Sequence, residues 1–194
     1  MIVNCLITGV GGQGTVLTSR LIGGAAIAAG LDVRGSETIG MAQRGGSVVS
    51  HIRMGKDIYS PLIPPGRADL VIAFEAAEAV RVLPFLSPSG RMLVLDRAVM
   101  PVTASLRGEK YTAQEMTDFL KSALARAAER LTVVDGSELL LKCGSPRVIN
   151  TALLGIGLTK NYFPFTRDDM LLALKDRIPP KYLDLNIRAL TNPD

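Results

Sequence analysis

A glycine-rich loop near the start of the chain constrains the fold more than any other feature. Residues 2–8 form a short apolar run rich in β-forming side chains, and residues 9–14 then read Gly-Val-Gly-Gly-Gln-Gly. From residue 15 onward, apolar side chains recur at three- and four-residue spacing as far as Gly30, which is a suitable helix C-cap. The pattern predicts a buried strand that passes through a tight loop into a helix.

This alternation of strand and helix patterns continues along the chain. The predicted strands are residues 2–8, 33–36, 47–54, 69–74, 91–95 and 131–134. The predicted helices are residues 15–29, 76–86, 113–130, 148–159, 168–177 and 183–190. Such alternation predicts an α/β, three-layer Rossmann-like fold with a mostly parallel sheet and a helical C-terminal third. Because 194 residues is a usual domain length, we expect residues 1–194 to form a single domain.

Composition and charge argue against several classes of function. The net charge is +4, but the basic residues are scattered singly, so no nucleic-acid partner is expected. The longest apolar helical stretch, residues 21–31, is about half of what a membrane span needs. No basic leader precedes the first apolar run. We therefore expect no membrane contact and a cytoplasmic location.

The few cysteines and the single histidine limit what this chain could hold. Cys5 and Cys143 are far apart in sequence, so this chain alone cannot supply a four-cysteine iron–sulfur site. We expect both thiols to be inert, with Cys5 buried in the first strand. His51 lies in a predicted strand without metal-ligand spacing or a G-x-S-x-G motif, so a structural, hydrogen-bonded role is expected. We predict no catalytic residue and no metal ligand.

The glycine loop itself is a candidate binding site. Gly9, Gly11 and Gly14 fit the pattern G-x-G-x-x-G between a strand and a helix, and Gly12 and Gln13 leave the loop bare. Glycines allow close approach to a phosphate, and the helix that follows points its N–H groups and positive dipole end at that phosphate. The alternative is that the glycines serve only to let strand and helix pack closely.

Glu37 adds a nucleotide interpretation of the same loop. It follows Gly14 by about twenty residues, where the dinucleotide motif has a carboxylate that binds a ribose hydroxyl. On this interpretation the chain is a stand-alone NAD- or FAD-binding dehydrogenase, or a nucleotide-binding module without catalysis.

A polar segment follows the second predicted strand, at the edge of the sheet where α/β proteins bind ligands. Arg44 could hold a phosphate or carboxylate there, or could pair with Glu37. The alternative for the segment is an ordinary solvated loop. Glu75 and Asp96 are expected at the same edge as helix caps or solvated groups. The candidate binding residues of this segment are Gln43, Arg44, Gly45, Gly46 and Ser47.

Several of these segments together resemble the γ subunits of 2-oxoacid:ferredoxin oxidoreductases. The similar segments are residues 9–14, 34–38, 43–51, 59–64, 68–75 and 150–155, so the resemblance spans nearly the whole chain. The segment from Ser36 to His51 is the one most specific to this family. Its sequence is closest to that of the indolepyruvate branch, the β subunits of indolepyruvate oxidoreductases. The dipeptide Met41-Ala42 departs mildly from the pattern of the family, in which a polar residue is expected at the position of Ala42.

The resemblance implies a subunit that is inactive alone. The complex would oxidatively decarboxylate an aryl 2-oxoacid such as indolepyruvate to an acyl-CoA, with ferredoxin as electron acceptor, and the sequence leaves open which 2-oxoacid it uses. Thiamine diphosphate with Mg²⁺ and the [4Fe–4S] clusters would lie on a larger partner subunit. The γ domain of the family helps to shape the entry of CoA, so the glycine loop and Arg44 would contact CoA phosphates or the partner subunit.

Overall fold

The computed structural model describes residues 2–39, 46–99 and 112–193 of the chain. Within these ranges a sheet is formed in the order β2-β3-β1-β4-β5-β6. Its strands are β1 (Val3–Val10), β2 (Asp32–Ile39), β3 (Ser47–Gly55), β4 (Ala68–Ala73), β5 (Leu86–Asp96) and β6 (Leu131–Asp135). All six predicted strands are present, and β2 and β5 are longer than expected.

Helices cover both faces of the sheet. They are α1 (Thr15–Ala28), α2 (Ala76–Val82), α3 (Ala113–Ala123), α4 (Gly136–Cys143), α5 (Ile149–Thr159), α6 (Arg167–Arg177) and α7 (Pro180–Thr191). α2 and α3 pack on one face around Leu6, Val71 and Val94. The other helices pack on the opposite face around Ile7 and Ile72. The three-layer α/β fold with a helical C-terminal third is confirmed.

One strand of the mostly parallel sheet runs against the others. β1 pairs in parallel with β4, and β4, β5 and β6 continue in parallel. β3 is antiparallel to both β1 and β2. β2 is therefore two strands away from β1, roughly 10 Å at the usual spacing between strands. This differs from a simple β-α-β unit in which the second strand lies beside the first.

Residues near the ends of α1 and α2 determine where these helices stop. The end of α1 was predicted correctly from the sequence, and the end of α2 was not. α1 ends as expected, with Gly30 at φ +77° and the N–H of Leu31 donating to the carbonyl of Ala26 at 3.0 Å. The predicted helix 76–86 was too long, because Pro84 lies in a 3-10 turn (Leu83–Phe85) that leads directly into β5.

Two errors lie around β6. The predicted helix 113–130 was wrong beyond α3, since Ala125–Arg130 is 3-10 helix interrupted at Ala127 (φ −150°). Helix α4 was missed altogether. Its N-cap is Asp135, whose Oδ1 accepts hydrogen bonds from the N–H groups of Ser137 and Glu138 at 2.8 and 3.0 Å.

Across the described ranges, no helix combines the length and the apolar character that crossing a bilayer would require.

Candidate functional site

The glycine loop at the end of β1 is held by its own glutamine. The N–H of Val10 donates to Gln13 Oε1 at 2.7 Å, and the N–H of Gln13 donates to the carbonyl of Val10 at 3.1 Å. Gln13 was predicted as a binding residue. In the structure its Oε1 is used inside the loop, where it stabilises the turn. The turn also needs left-handed backbone at Gly12 (φ +101°) and Gly14 (φ +81°), which favours glycine at both positions.

Both interpretations of the glycines apply, at different positions of the loop. A Cβ on Gly9 would lie 2.7 Å from Gln13 Oε1 and 3.2 Å from Cβ of Phe74, so Gly9 serves close packing. Gly11 also has an internal role, because its N–H donates to the carbonyl of Gly46 at 2.9 Å. Among the described residues, no atom lies within 4 Å of a Cβ position on Gly12, so this glycine is open on the side of the cleft.

Helix α1 begins directly after this loop without a side-chain cap. Its N-cap is Gly14, and no side chain in the described ranges accepts a hydrogen bond from the N–H groups of the first turn. Those N–H groups and the positive end of the helix dipole favour a negatively charged ligand.

A cleft of about 390 Å³ opens at this helix end, on the carboxyl edge of the sheet. That volume is within the range of about 300–1,000 Å³ that is typical of small-molecule sites. The glycine loop and α1 contribute Gly12, Gln13, Gly14 and Leu17. The ends of β4 and β5 and the residues after them contribute Phe74, Leu95, Arg97 and Val99. The turn before α5 and its first residues contribute Pro146, Arg147, Ile149 and Asn150.

Arg97, Arg147 and Asn150 give the cleft its polar character. Both arginines are exposed, and neither has a carboxylate within ion-pairing distance among the described residues. The Arg147 guanidinium carbon lies 5.7 Å from the centroid of the Tyr182 ring. Only 6% of Asn150 is exposed, and its amide has no hydrogen-bond partner in the described ranges. Sequence reasoning assigned none of the three to a site, although Asn150 opens one of the family-like segments.

Glu37 lies elsewhere. Its Oε1 accepts a hydrogen bond from the hydroxyl of Ser19 at 3.0 Å. It lines a second cleft, together with Arg20 and Arg177, rather than the one at the glycine loop. Because β3 separates β2 from β1, the carboxylate is not where a dinucleotide ribose would need it. This geometry argues against the NAD or FAD interpretation.

The predicted polar segment is only partly described. Gln43, Arg44 and Gly45 lie outside the described residues. Gly46 contacts the glycine loop through its carbonyl, as given above. The Ser47 hydroxyl donates to Glu78 Oε2 at 2.5 Å, which turns it toward α2 and away from the cleft.

The α2 side of the same sheet edge is acidic and internally bonded. Glu75 caps α2, because its Oε2 accepts from the N–H of Glu78 at 2.8 Å, and its Oε1 accepts from the N–H of Val99 at 3.2 Å. Glu78 also accepts from Nε of Arg81 at 3.3 Å. Glu75 is thus the helix cap that was expected. Asp96 ends β5, and its buried Oδ1 has no hydrogen-bond partner among the described residues.

The two other titratable side chains considered in the sequence, His51 and Cys5, have structural roles. His51 Nδ1 accepts a hydrogen bond from the N–H of Ile63 at 3.2 Å, and burial lowers the pKa of the imidazole below its usual value. Burial, with a smaller contribution from Asp69, raises the pKa of the Cys5 thiol, so it stays protonated and inert. Within the described ranges, no three His, Cys, Asp or Glu side chains come together as metal ligands would.

The fold and the cleft define an α/β protein whose cleft lies at the carboxyl edge of its sheet, the edge where open α/β sheets bind ligands. Comparison with protein families identifies the class further. The chain belongs to the pyruvate ferredoxin/flavodoxin oxidoreductase family, whose model matches residues 4–192. The resemblance seen in the sequence is thereby confirmed.

Similar proteins are themselves subunits. The chain is 38% identical over 190 residues to an indolepyruvate oxidoreductase subunit IorB of Archaeoglobus fulgidus, covering 98% of this chain and 92% of that protein. It is 34% identical over 187 residues to the corresponding subunit of Thermococcus kodakarensis, covering 96% and 91%. This chain is accordingly a subunit of a 2-oxoacid:ferredoxin oxidoreductase.

Solved structures share the fold at low sequence identity. The γ subunit of a keto/oxoacid ferredoxin oxidoreductase from Geobacter sulfurreducens has a TM-score of 0.69 and 17% identity, over 100% of this chain and 94% of that one. The 2-oxoglutarate:ferredoxin oxidoreductase of Magnetococcus marinus, with 2-oxoglutarate, coenzyme A and succinyl-CoA bound, has a TM-score of 0.71 and 18% identity. This chain covers 30% of that longer chain and is itself 99% covered.

Proposed function

We propose that this chain is the subunit without iron–sulfur clusters of a thiamine-dependent oxidoreductase that converts an aryl 2-oxoacid, such as indolepyruvate, to an acyl-CoA. We further propose that its cleft and glycine loop contact the phosphate groups of CoA. The observation that carries the proposal is the uncapped N-terminus of α1, which opens on a cleft of about 390 Å³ lined by two arginines.

The chemistry of this cleft suits the nucleotide end of CoA. CoA carries a pyrophosphate and a phosphate monoester, and both are strong acceptors of hydrogen bonds. Backbone N–H groups at a helix N-terminus bind such anions, and arginine binds phosphate with a planar fork of donors. The 2-oxoglutarate enzyme that shares this fold is described with coenzyme A bound, which supports the same ligand class here.

The two subunits of the proposed complex have different roles, redox chemistry on the larger partner and binding on this chain. The overall reaction takes a 2-oxoacid, CoA and two oxidised ferredoxins to an acyl-CoA, CO₂, two reduced ferredoxins and one proton. Thiamine diphosphate with Mg²⁺ would supply the stabilised carbanion, and [4Fe–4S] clusters would carry the electrons, all on the larger partner. This chain suits the binding role and not the redox role, because its two cysteines are too few to ligate a four-cysteine cluster and Cys5 is buried.

The proposal extends to organisation and location. We treat the whole chain as one γ-type domain that packs beside the catalytic subunit. We place the complex in the cytoplasm, a reducing compartment that suits two free thiols and a ferredoxin acceptor.

One competing function retains a specific observation in its favour. The pattern G-x-G-x-x-G at Gly9, Gly11 and Gly14 would also suit a stand-alone NAD- or FAD-binding dehydrogenase or a nucleotide-binding module. The bond from Ser19 to Glu37 and the strand order work against it.

Anaerobic purification from native extract separates these functions. We expect the chain to recover a larger iron–sulfur, thiamine-dependent partner. We also expect the separated chain to be inactive, with indolepyruvate- and CoA-dependent ferredoxin reduction restored when the two are mixed. A catalytically active homodimer with bound NAD would overturn the proposal.

Arg44 provides a second, narrower test of the same proposal. In the reconstituted complex, Arg44→Ala should raise KM for CoA while KM for the 2-oxoacid stays the same. Arg126→Ala is a matched control, since Arg126 is exposed just before the amino end of β6. Unchanged CoA kinetics in Arg44→Ala would remove Arg44 from the CoA site.

A further inference from the structure

The loop between β3 and β4 presents two large apolar side chains to solvent. Within this β3–β4 loop, residues 56–67, Tyr59 is 92% exposed and Leu62 is 55% exposed. Among the described residues, the other large apolar side chains with such exposure lie singly on four separate helices: Ile27, Phe119, Leu141 and Leu172. Single exposed apolar residues are normal on a protein surface, whereas neighbouring ones indicate an interaction site.

The backbone beneath these two side chains is fixed by β3 and the core. Ile58 and Ile63, which flank them in the loop, are buried. Arg53 Nη1 donates to the carbonyl of Ser60 at 2.9 Å. The N–H of Ile63 donates to His51 Nδ1 at 3.2 Å. Because three prolines also limit the freedom of the loop, a partner that binds there removes little conformational entropy.

The β3–β4 loop adjoins a part of the sheet that α2 and α3 leave open. α2 packs on β1, β4 and β5, and α3 packs on β5 and β6. On the same face, Asp32, Arg34 and Thr38 of the edge strand β2 are exposed. Because β3 is antiparallel to β1, the loop that follows Gly55 begins at the amino edge of the sheet. This surface therefore lies opposite the cleft at the glycine loop.

Two arginines beside the loop face each other without a compensating acid. Arg34 and Arg53 are direct partners across β2 and β3, an arrangement of like charges that destabilises a sheet. Arg53 donates only to neutral acceptors, Asn4 Oδ1 and the carbonyl of Ser60, and Arg34 donates to the carbonyl of Val33. Among the described residues, no carboxylate lies within ion-pairing distance of either arginine. The charge of this surface favours a partner that brings carboxylates.

We propose that the β3–β4 loop and the adjoining face of β2 bind the larger subunit of the complex. Tyr59 and Leu62 would insert into an apolar depression of that subunit, and its carboxylates would pair with Arg34 and Arg53. The inference rests on the proposed function, in which this chain works with a larger catalytic partner. A two-fold contact between copies of this chain, centred here, would instead bring two such arginine pairs together.

Anaerobic binding of the purified chain to the isolated larger subunit tests the apolar part of this surface. Tyr59→Ala should raise the Kd about tenfold or more, since exposed tyrosines are frequent hot spots of interfaces. Leu141→Ala is the matched control, because Leu141 is 83% exposed on α4, and it should leave the Kd unchanged. When each variant saturates the partner, KM for CoA should equal that of wild type, because the cleft lies at the other edge of the sheet.

Arg34→Glu tests the charged part of the surface. In the free chain the new carboxylate would lie opposite Arg53 and relieve the repulsion, so urea unfolding should show that stability is kept or raised. An acidic partner would be repelled, so we expect the Kd to rise about tenfold or more at low salt. Arg126→Glu, at an exposed position before β6, is the control and should leave the Kd unchanged.

The outcomes separate this inference from the proposed function. An unchanged Kd in either Tyr59→Ala or Arg34→Glu would overturn the docking surface while the reaction itself stands. A homodimer of the chain alone that Tyr59→Ala dissociates would also overturn it, since the surface would then belong to a second copy. A wild-type chain that binds no thiamine-dependent, iron–sulfur subunit would instead overturn the proposed function.

Discussion

The two sides of the carboxyl edge of the sheet use polar side chains in opposite ways. On the α2 side, Glu75 and Glu78 accept hydrogen bonds from Ser47, Val99 and the first turn of α2. On the α1 side, Arg97 and Arg147 have no carboxylate partner, and the Asn150 amide has no partner in the described ranges.

Under the proposed function, this difference separates polar groups that stabilise the fold from polar groups that bind the ligand. A carboxylate that caps a helix and ties down a neighbouring segment stabilises the fold whether or not a ligand is present. A helix end without a cap, beside arginines without acids, leaves its donors for a ligand. Changes on the α2 side should therefore cost stability, and changes on the α1 side should cost binding.

Glu75→Ala should have the largest effect on stability. The variant loses the N-cap of α2 and the bond to the N–H of Val99, so we expect the free energy of unfolding to fall by about 2–4 kcal/mol. Urea unfolding measures the change. Glu129→Ala, an exposed glutamate, should stay within about 0.5 kcal/mol. Equal losses in the two variants would contradict a structural role for Glu75.

Gly14→Ala should have the next largest effect, from the boundary between the loop and the cleft. The position has φ +81°, and the new Cβ would lie 3.0 Å from Nδ2 of Asn150. We expect a loss of about 1–2 kcal/mol, from backbone strain and from the displaced amide. Gly30→Ala is matched in backbone (φ +77°) but has open space, so it isolates the strain alone. A larger loss in Gly30→Ala would show that Asn150 does not contact Gly14.

His51 provides a pH-dependent test away from the carboxyl edge, on the face of the sheet that α2 covers, where its ring contacts Phe85. Because burial lowers its folded pKa below the unfolded value of about 6.5, the unfolded chain binds the proton more tightly. Its contribution to stability is therefore present above pH 6.5 and is lost as the pH falls toward the folded pKa. The stability of wild type relative to His51→Gln should decrease between pH 7.5 and 5. A constant difference across that range would show that His51 titrates normally.

Arg97→Ala should have the smallest effect on stability. The side chain is exposed and has no ion pair in the described ranges, so we expect a change within about 0.5 kcal/mol. The same urea unfolding experiment checks it. A loss as large as that of Glu75→Ala would remove the contrast between the two sides.

Local signals predicted much of this fold. The apolar run before the glycine loop and the spacing up to Gly30 placed β1 and α1, because strand burial and helix capping are encoded within a few residues. Helix α4 was also encoded locally, by Asp135 as N-cap and Gly144 (φ +66°) after the last residue, but its eight residues are too few to show clear periodicity.

The candidate site was harder to predict, because its parts meet only in three dimensions. The role of Glu37 was inferred from its sequence distance to Gly14, which assumes that β2 lies beside β1. Local sequence does not determine the order of strands in a sheet. Arg97 and Arg147 come from two distant segments, and nothing in their neighbourhood distinguishes them from other surface residues. Asn150 opens a family-like segment, but that resemblance did not indicate that its side chain lines the cleft. The glycine loop was recognised, but the role of Gln13 in holding its own turn required the structure.

Amide hydrogen exchange of the reconstituted complex, with and without CoA, tests the central claim most directly. The account predicts that CoA slows exchange at residues 12–17 and 146–150, on the two walls of the cleft, and leaves α2 unchanged. Protection at α2 without protection at the N-terminus of α1 would contradict it.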